Sequence, residues 1–273
     1  MNDNTEQIAY WNGSAGANWV ESYPIIDSLL EPLSTAAIER ANAEAGERVI
    51  DVGCGCGSTS IRLAESGATV RGIDISAAMV EEANRRASAI PNLSFDEADA
   101  SVEPYEAEHA LVFSRFGVMF FADPVAAFAN LRTALAPGGR MVFLCWQTPM
   151  VNPWVAIPGQ IVQALQPPAE APDPYAPGPF SLAEEGHLRT VLTEAGFGEV
   201  SVESVDREIT MGANLDETMA FQSRIGPLSS YLAENDPEAG QQAVSAVRDA
   251  LTQFESPDGV RMMAAAWLVS AGR

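Results

Sequence analysis

The chain has 273 residues, 47% of them hydrophobic, with 37 acidic residues against 15 basic ones and a formal net charge of −22. All 15 are arginine, so chemistry that needs a lysine amine, such as a P-loop or a Schiff base, is excluded. A surface this acidic repels a phosphate backbone and anionic lipid, so the expected partner is a small molecule, with no nucleic acid and no membrane.

The first residues, MNDNTEQIAYW, lack a basic stretch followed by an apolar one, and no apolar run reaches 18 residues. A cytoplasmic protein without a membrane span is expected. Trp11 and Trp19 follow. Eight positions at helical pitch separate them by about 80°, nearly one face of a helix that Gly13 and Gly16 make breakable. Residues 1–46 are expected to form a helical flap.

From 47 to 147 strands and helices alternate. RVIDVG is a short apolar strand ended by glycine, and STSIRLAESG is a helix. ATVRGIDI is a second strand, followed by the helix SAAMVEEANRRASAI with acids early and arginines late, as the helix dipole favours. NLSFDEADA and HALVFSRF read as strands three and four. DPVAAFANLRTALAPGG is a helix stopped by Pro137-Gly138-Gly139, and RMVFLCW is strand five. This alternation predicts an α/β, doubly wound, parallel sheet covered on both faces.

Half of the 18 prolines fall between Pro149 and Pro179, which reads as an irregular excursion. Helix, strand and further helical segments follow, and MMAAAWLVSAG is the expected last strand. The organisation expected is one domain, 1–273, with a cofactor-binding core at 47–147 and lid insertions at 148–181 and 206–256.

The glycine turn, Asp51-Val52-Gly53-Cys54-Gly55-Cys56-Gly57, lies where such a sheet binds its ligand, at the carboxyl ends of the strands. A dinucleotide pyrophosphate would be repelled by the adjoining Asp51, and the third glycine comes one residue earlier than the dinucleotide pattern requires. Both features, with no lysine for a Tyr-x-x-x-Lys pair, argue against a nicotinamide oxidoreductase. Asp51 suits a ligand with positive charge, and S-adenosylmethionine carries a sulfonium and an ammonium. Asp74 ends the second strand, where a carboxylate accepts ribose hydroxyls, and Asp99 ends the third, placed for an adenine amino group. The three cysteines and two histidines give no metal-ligand spacing, so no metal is expected.

These residues resemble the motifs of class I S-adenosylmethionine-dependent methyltransferases. Gly72-Ile73-Asp74-Ile75-Ser76 is similar to their second motif and Ala98-Asp99-Ala100 to their third. The segment from Phe113 to Pro124, FSRFGVMFFADP, resembles the small-molecule branch that includes ubiquinone/menaquinone-biosynthesis C-methyltransferases. The resemblance implies a Rossmann-like seven-stranded sheet of order 3-2-1-4-5-7-6, mostly parallel, with the last strand antiparallel. It implies that Asp51, Gly53, Cys54, Gly55 and Gly57 hold the methionine moiety. Asp74 takes the ribose, Ile75 and Met79 line the adenosine, and Asp99 and Ala100 meet the adenine. Ser114 and Arg115 lie under the sulfonium, and Trp19 closes over the cofactor.

The implied reaction is methyl transfer to an oxygen or carbon of a small, apolar metabolite. An N-methyltransferase motif of the Asn/Asp-Pro-Pro-aromatic type is absent after the fourth strand. The candidates for acceptor contact are Phe116, Met119, Trp146 and Trp154. A cyclase or rearrangement enzyme, or a non-catalytic cofactor-binding module, is the alternative on the same fold. Catalytic residues and oligomeric state are left open.

Overall fold

The computed structural model describes residues 4–167 and 173–273. Two helices, α1 (Thr5–Trp11) and α2 (Ser14–Ala41), precede β1 (Arg48–Val52). The core then runs α3 (Ser58–Glu65), β2 (Thr69–Asp74), α4 (Ala77–Arg86), β3 (Leu93–Glu97), β4 (His109–Arg115), α5 (Pro124–Ala134) and β5 (Leu135–Trp146). The remainder is α6 (Pro153–Leu165), α7 (Glu185–Glu194), β6 (Gly198–Gly212), α8 (Leu215–Gln222), α9 (Pro227–Glu234), α10 (Pro237–Leu251), β7 (Glu255–Ser256) and β8 (Gly259–Gly272).

The strands form one sheet of order β3-β2-β1-β4-β5-β8-β6. The pairs from β3 to β5 are parallel, and β8 runs antiparallel between β5 and β6. Setting aside β7, a two-residue strand on β8, this is the expected order with the expected antiparallel strand. Residues 49–52 of β1 are all buried, as a strand covered by helices on both faces must be. Phe113, Phe128 and Phe143 are fully buried in the core, and the rings of Phe128 on α5 and Phe143 on β5 meet at 5.4 Å.

Three elements differ from expectation. Trp11 and Trp19 do not share one helix, because the chain breaks at Asn12-Gly13 and α2 begins at Ser14. Gly16 permits the fold-back: a Cβ there would lie 2.0 Å from the Trp11 carbonyl oxygen. Helix α5 ends at Ala134, before Pro137-Gly138-Gly139, and Leu135 is already extended. Pro137 bars its predecessor from helix, and the glycines sit in a bulge between β4 and β5. The proline-rich excursion contains the regular helix α6. Pro153 occupies its first turn, where no N–H is needed, and Pro158 is carried inside it, buried. Residues 1–3 of the expected flap and 168–172 of the expected lid lie outside the described residues.

Helix α2 spans 28 residues and contains Pro24 and Pro32. Its far end is fixed by Arg140, which donates to the Ala41 and Asn42 carbonyls and pairs with Glu47 at 2.9 Å. Its near end reaches the carboxyl edge of the sheet, where the cavity lies.

Candidate functional site

The glycine turn follows β1 with Gly53, Gly55 and Gly57 all in the left-handed region, at φ 64°, 54° and 83°. Their jobs differ. Gly53 touches the turn after β4: a Cβ on it would lie 2.7 Å from Gly117 Cα. Gly55 faces the cavity, with Trp19 Nε1 3.5 Å from where its Cβ would stand. Gly57 faces inward, where a Cβ would lie 2.6 Å from the Phe95 ring, so it serves helix-to-sheet packing and does not line the cavity.

Asp51 is wholly buried two residues before the turn. Its Oδ2 accepts from Thr59 Oγ1 at 2.8 Å and Ser60 Oγ at 2.6 Å. Its Oδ1 is buried without a hydrogen-bond partner. Burial, offset in part by the two hydroxyls, pushes its pKa up to about 6.

Asp74 ends β2 and organises the turn. Oδ2 accepts from the Gly55 N–H at 2.8 Å and Oδ1 from the Ser76 N–H at 2.9 Å. Burial raises its pKa, and these backbone donors oppose the shift. Asp99 accepts through one oxygen, Oδ1, from the Ser101 N–H and hydroxyl and from Asn4 Nδ2 at 2.9 Å. All three donors converge on Oδ1, so the second oxygen of Asp99 is the one left to a ligand.

The cavity enclosed by these groups holds about 800 Å³ with its open mouth included. Of the residues expected to meet the cofactor, Trp19, Gly53, Cys54, Gly55, Asp74, Ile75, Met79, Asp99, Ala100 and Arg115 line it. Asp51, Gly57 and Ser114 do not. Ser114 is buried, donates to the Val52 carbonyl at 2.7 Å and accepts from the Gly117 N–H, so its hydroxyl joins the ends of β1 and β4.

Of the expected acceptor residues, only Phe116 lines this cavity. It sits at φ 62°, an unusual conformation for a bulky residue, with its ring stacked on Trp146 at 4.0 Å and 13°. Trp146 in turn meets Trp154 at 4.9 Å, so the two tryptophans lie behind Phe116 as a row. Met119 is core: its sulfur accepts from the Trp146 N–H and its carbonyl from Ser181 Oγ.

Several residues in the lining and directly behind it were not anticipated. Trp11 bridges Trp19 and Phe120 in edge-to-face contacts at 5.7 and 5.2 Å. Asn4 joins Asp99 to the Ala122 N–H, so the start of α1 is tied across the cavity. Asn12 bonds Ile75 and Ala77, and Ser76 Oγ donates to the Trp11 carbonyl. Asp27 on α2 accepts from Arg115 at 3.0 Å and from Ser58 Oγ, with Arg86 at 3.7 Å. Neither histidine lines the cavity. His109 is buried with Nδ1 3.2 Å from the Ala134 carbonyl oxygen, and His187 stacks on Tyr175. Among the described residues no cluster suited to a metal ion is present.

A family model described as a methyltransferase domain matches residues 49–139. The demethylmenaquinone methyltransferase of Beutenbergia cavernae is 31% identical over 171 residues, covering 59% of this chain and 70% of that one. The aklanonic acid methyltransferase DauC of a Streptomyces species is 35% identical over 118 residues, covering 41% of this chain and 54% of that one. Haemonchus contortus phosphoethanolamine N-methyltransferase 2, solved in complex with S-adenosyl-L-methionine, shares the fold at a TM-score of 0.54 and 21% identity over 88% of this chain and 52% of its own.

The chain belongs to the class I S-adenosylmethionine-dependent methyltransferases. Within that class it resembles the quinone C-methyltransferases.

Proposed function

We propose that this methyltransferase transfers the methyl group to an oxygen or carbon of a small, planar, apolar acceptor. The observation that carries the reading is the Phe116–Trp146 stack, which turns an aromatic wall toward the cavity beside Arg115 and Gly117. Phe120, Phe121 and Trp11 add apolar surface, and large apolar pockets with few polar groups select flat, apolar ligands. The acidic exterior supports a small acceptor over nucleic acid or anionic membrane. No described helix is long and apolar enough to cross a membrane.

The residues present suit S-adenosylmethionine. Asp51 stays behind the lining, and its buried oxygen without a hydrogen-bond partner puts negative charge beneath the glycine turn, which suits a ligand that brings an ammonium. Side chains at Gly53 or Gly117 would collide with the opposite turn, so the floor there is bare backbone that a ligand approaches closely. Asp74 would hold the ribose and Asp99 the adenine amino group, with Met79 and Ile75 against the nucleoside. The bound cofactor supplies a methyl group already activated by its sulfonium. The chain's part is alignment and exclusion of water: Trp11 and Trp19 roof the site, and Asn4 and Asn12 hold that roof to the strand ends. We take the described residues of 1–46 as a flap, and those of 148–181 with 213–254 as the lid that shapes the acceptor side; residues 206–212 and 255–256, expected in the lid, belong to β6 and β7 of the sheet.

The test is label transfer from methyl-labelled S-adenosylmethionine to a panel of phenols, hydroquinones, β-dicarbonyls and amines of one to four rings. Label is expected in the phenol, hydroquinone or dicarbonyl members. Label confined to amines would overturn the acceptor assignment.

A further inference from the structure

Asp27 of α2 lies behind Arg115, a residue of the cavity lining, and three elements converge on it. Its Oδ1 accepts from Arg115 at the end of β4, 3.0 Å away. Its Oδ2 accepts from the hydroxyl of Ser58, the first residue of α3 and the next after the glycine turn. Arg86 at the end of α4 lies 3.7 Å from the same oxygen, donates to Ser58 Oγ and to the Cys56 carbonyl, and stacks on Tyr23 one turn back on α2. Arg115 lines the cavity with its side chain 11% exposed. Its second contact, to Ser34 Oγ, is long at 3.3 Å, so Asp27 is what fixes the guanidinium. A guanidinium has five N–H donors, and the contacts to Asp27 and Ser34 leave others uncommitted on a residue that lines the cavity.

We propose that Asp27 is a positioning residue for the amino-acid tail of the cofactor: it holds Arg115 so that its remaining donors face the tail carboxylate. The inference rests on the cofactor assignment above. Arginine recognises a carboxylate well only in a fixed, forked orientation, and a long side chain released from its partner loses that preorganisation. The same contacts join α2, which carries Trp19 two turns earlier, to the start of α3. Holding the tail and seating the flap therefore share one carboxylate.

The tail's share of binding is read directly from two ligands. S-adenosylhomocysteine carries the tail, and 5′-methylthioadenosine has the same nucleoside and thioether without it. Calorimetry on the full chain would give the ratio of their Kd values for the wild type, Asp27→Asn, Asp27→Glu and Arg115→Gln. Asp27→Asn is expected to lower the preference for S-adenosylhomocysteine by about tenfold and to leave 5′-methylthioadenosine within about twofold. Asp27→Glu should restore most of the preference. Asp27→Asn added to Arg115→Gln should lower it no further, since the first acts through the second. An unchanged ratio, a ratio that rises, or equal weakening of both ligands would overturn the proposal. Should Asp27→Asn not fold, Asp27→Glu and Arg115→Gln carry the test: an unchanged preference in Arg115→Gln overturns it alone. Wild type that binds neither ligand would be a failure of the cofactor assignment instead.

Discussion

Gly53 and Gly117 touch backbone to backbone. A Cβ on Gly117 would lie 2.8 Å from Gly53 Cα and 2.6 Å from the Val52 carbonyl oxygen. The turns after β1 and β4 thus close on each other at the point where the sheet's strand order reverses, which is where doubly wound folds bind ligands. Gly117→Ala must push these turns apart. It is expected to cost about 1–3 kcal/mol of stability and to weaken S-adenosylhomocysteine binding, measured by urea unfolding and calorimetry.

Phe116 is held in the left-handed region while its ring stacks on Trp146. Phe116→Ala loses the stack and keeps the strain. Phe116→Gly loses the stack and removes the strain. The glycine variant is therefore expected to be more stable than the alanine variant by about 1 kcal/mol, the reverse of the order at ordinary sites. Both should lower turnover of an aromatic acceptor.

Asp51 ionises near 3.8 in an ordinary setting and at about 6 in the folded protein. The native state therefore binds this proton more tightly than the unfolded chain does. The carboxyl opposes folding fully above about pH 6, and the penalty fades as pH falls toward 4. Asp51→Asn is expected to gain stability relative to wild type across that window, by up to about 3 kcal/mol at pH 7, because a tenfold difference in proton affinity between the two states is worth about 1.4 kcal/mol. Paired denaturant curves at pH 4.5 and 7.5 measure this. The same variant should bind S-adenosylhomocysteine more weakly, because the negative charge behind the glycine turn, which favours the cofactor's ammonium, is removed.

Asn152 is fully buried and its side chain makes five hydrogen bonds. It accepts from the Ala265 N–H and from Trp154 Nε1, and donates to the Ala265, Gln147 and Thr148 carbonyls. It thereby ties the end of β5 to β8 and aims Trp154 at Trp146. Asn152→Ala is expected to cost about 3 kcal/mol or more, since several buried groups lose partners together. Thermal unfolding would show this as a lowered Tm.

The sheet and the acids at its edge were legible because both repeat. Strands alternate with helices, Asp74 closes the second strand and Asp99 comes just after the third, so their places follow from local pattern. Gly57 shows the limit. Its spacing matches that of Gly55, yet Phe95, 38 positions on, decides that it packs inward. Asp27, Asn4 and Asn152 were illegible for the same reason. Each is a lone polar residue on or beside a helix, indistinguishable from a solvated position, and its partners lie as much as 118 positions away. Trp11 and Trp19 were visible as a pair. Their meeting across a helix break depends on the close contact at Gly16, which no helical periodicity encodes.

The most direct test of the account is thermal stabilisation by S-adenosylhomocysteine and by NADH, on wild type and Asp74→Ala. Ligand at 100 times its Kd adds about 2.7 kcal/mol. A clear rise in Tm is expected with S-adenosylhomocysteine, lost in Asp74→Ala, and none with NADH. A rise with NADH and none with S-adenosylhomocysteine would contradict it.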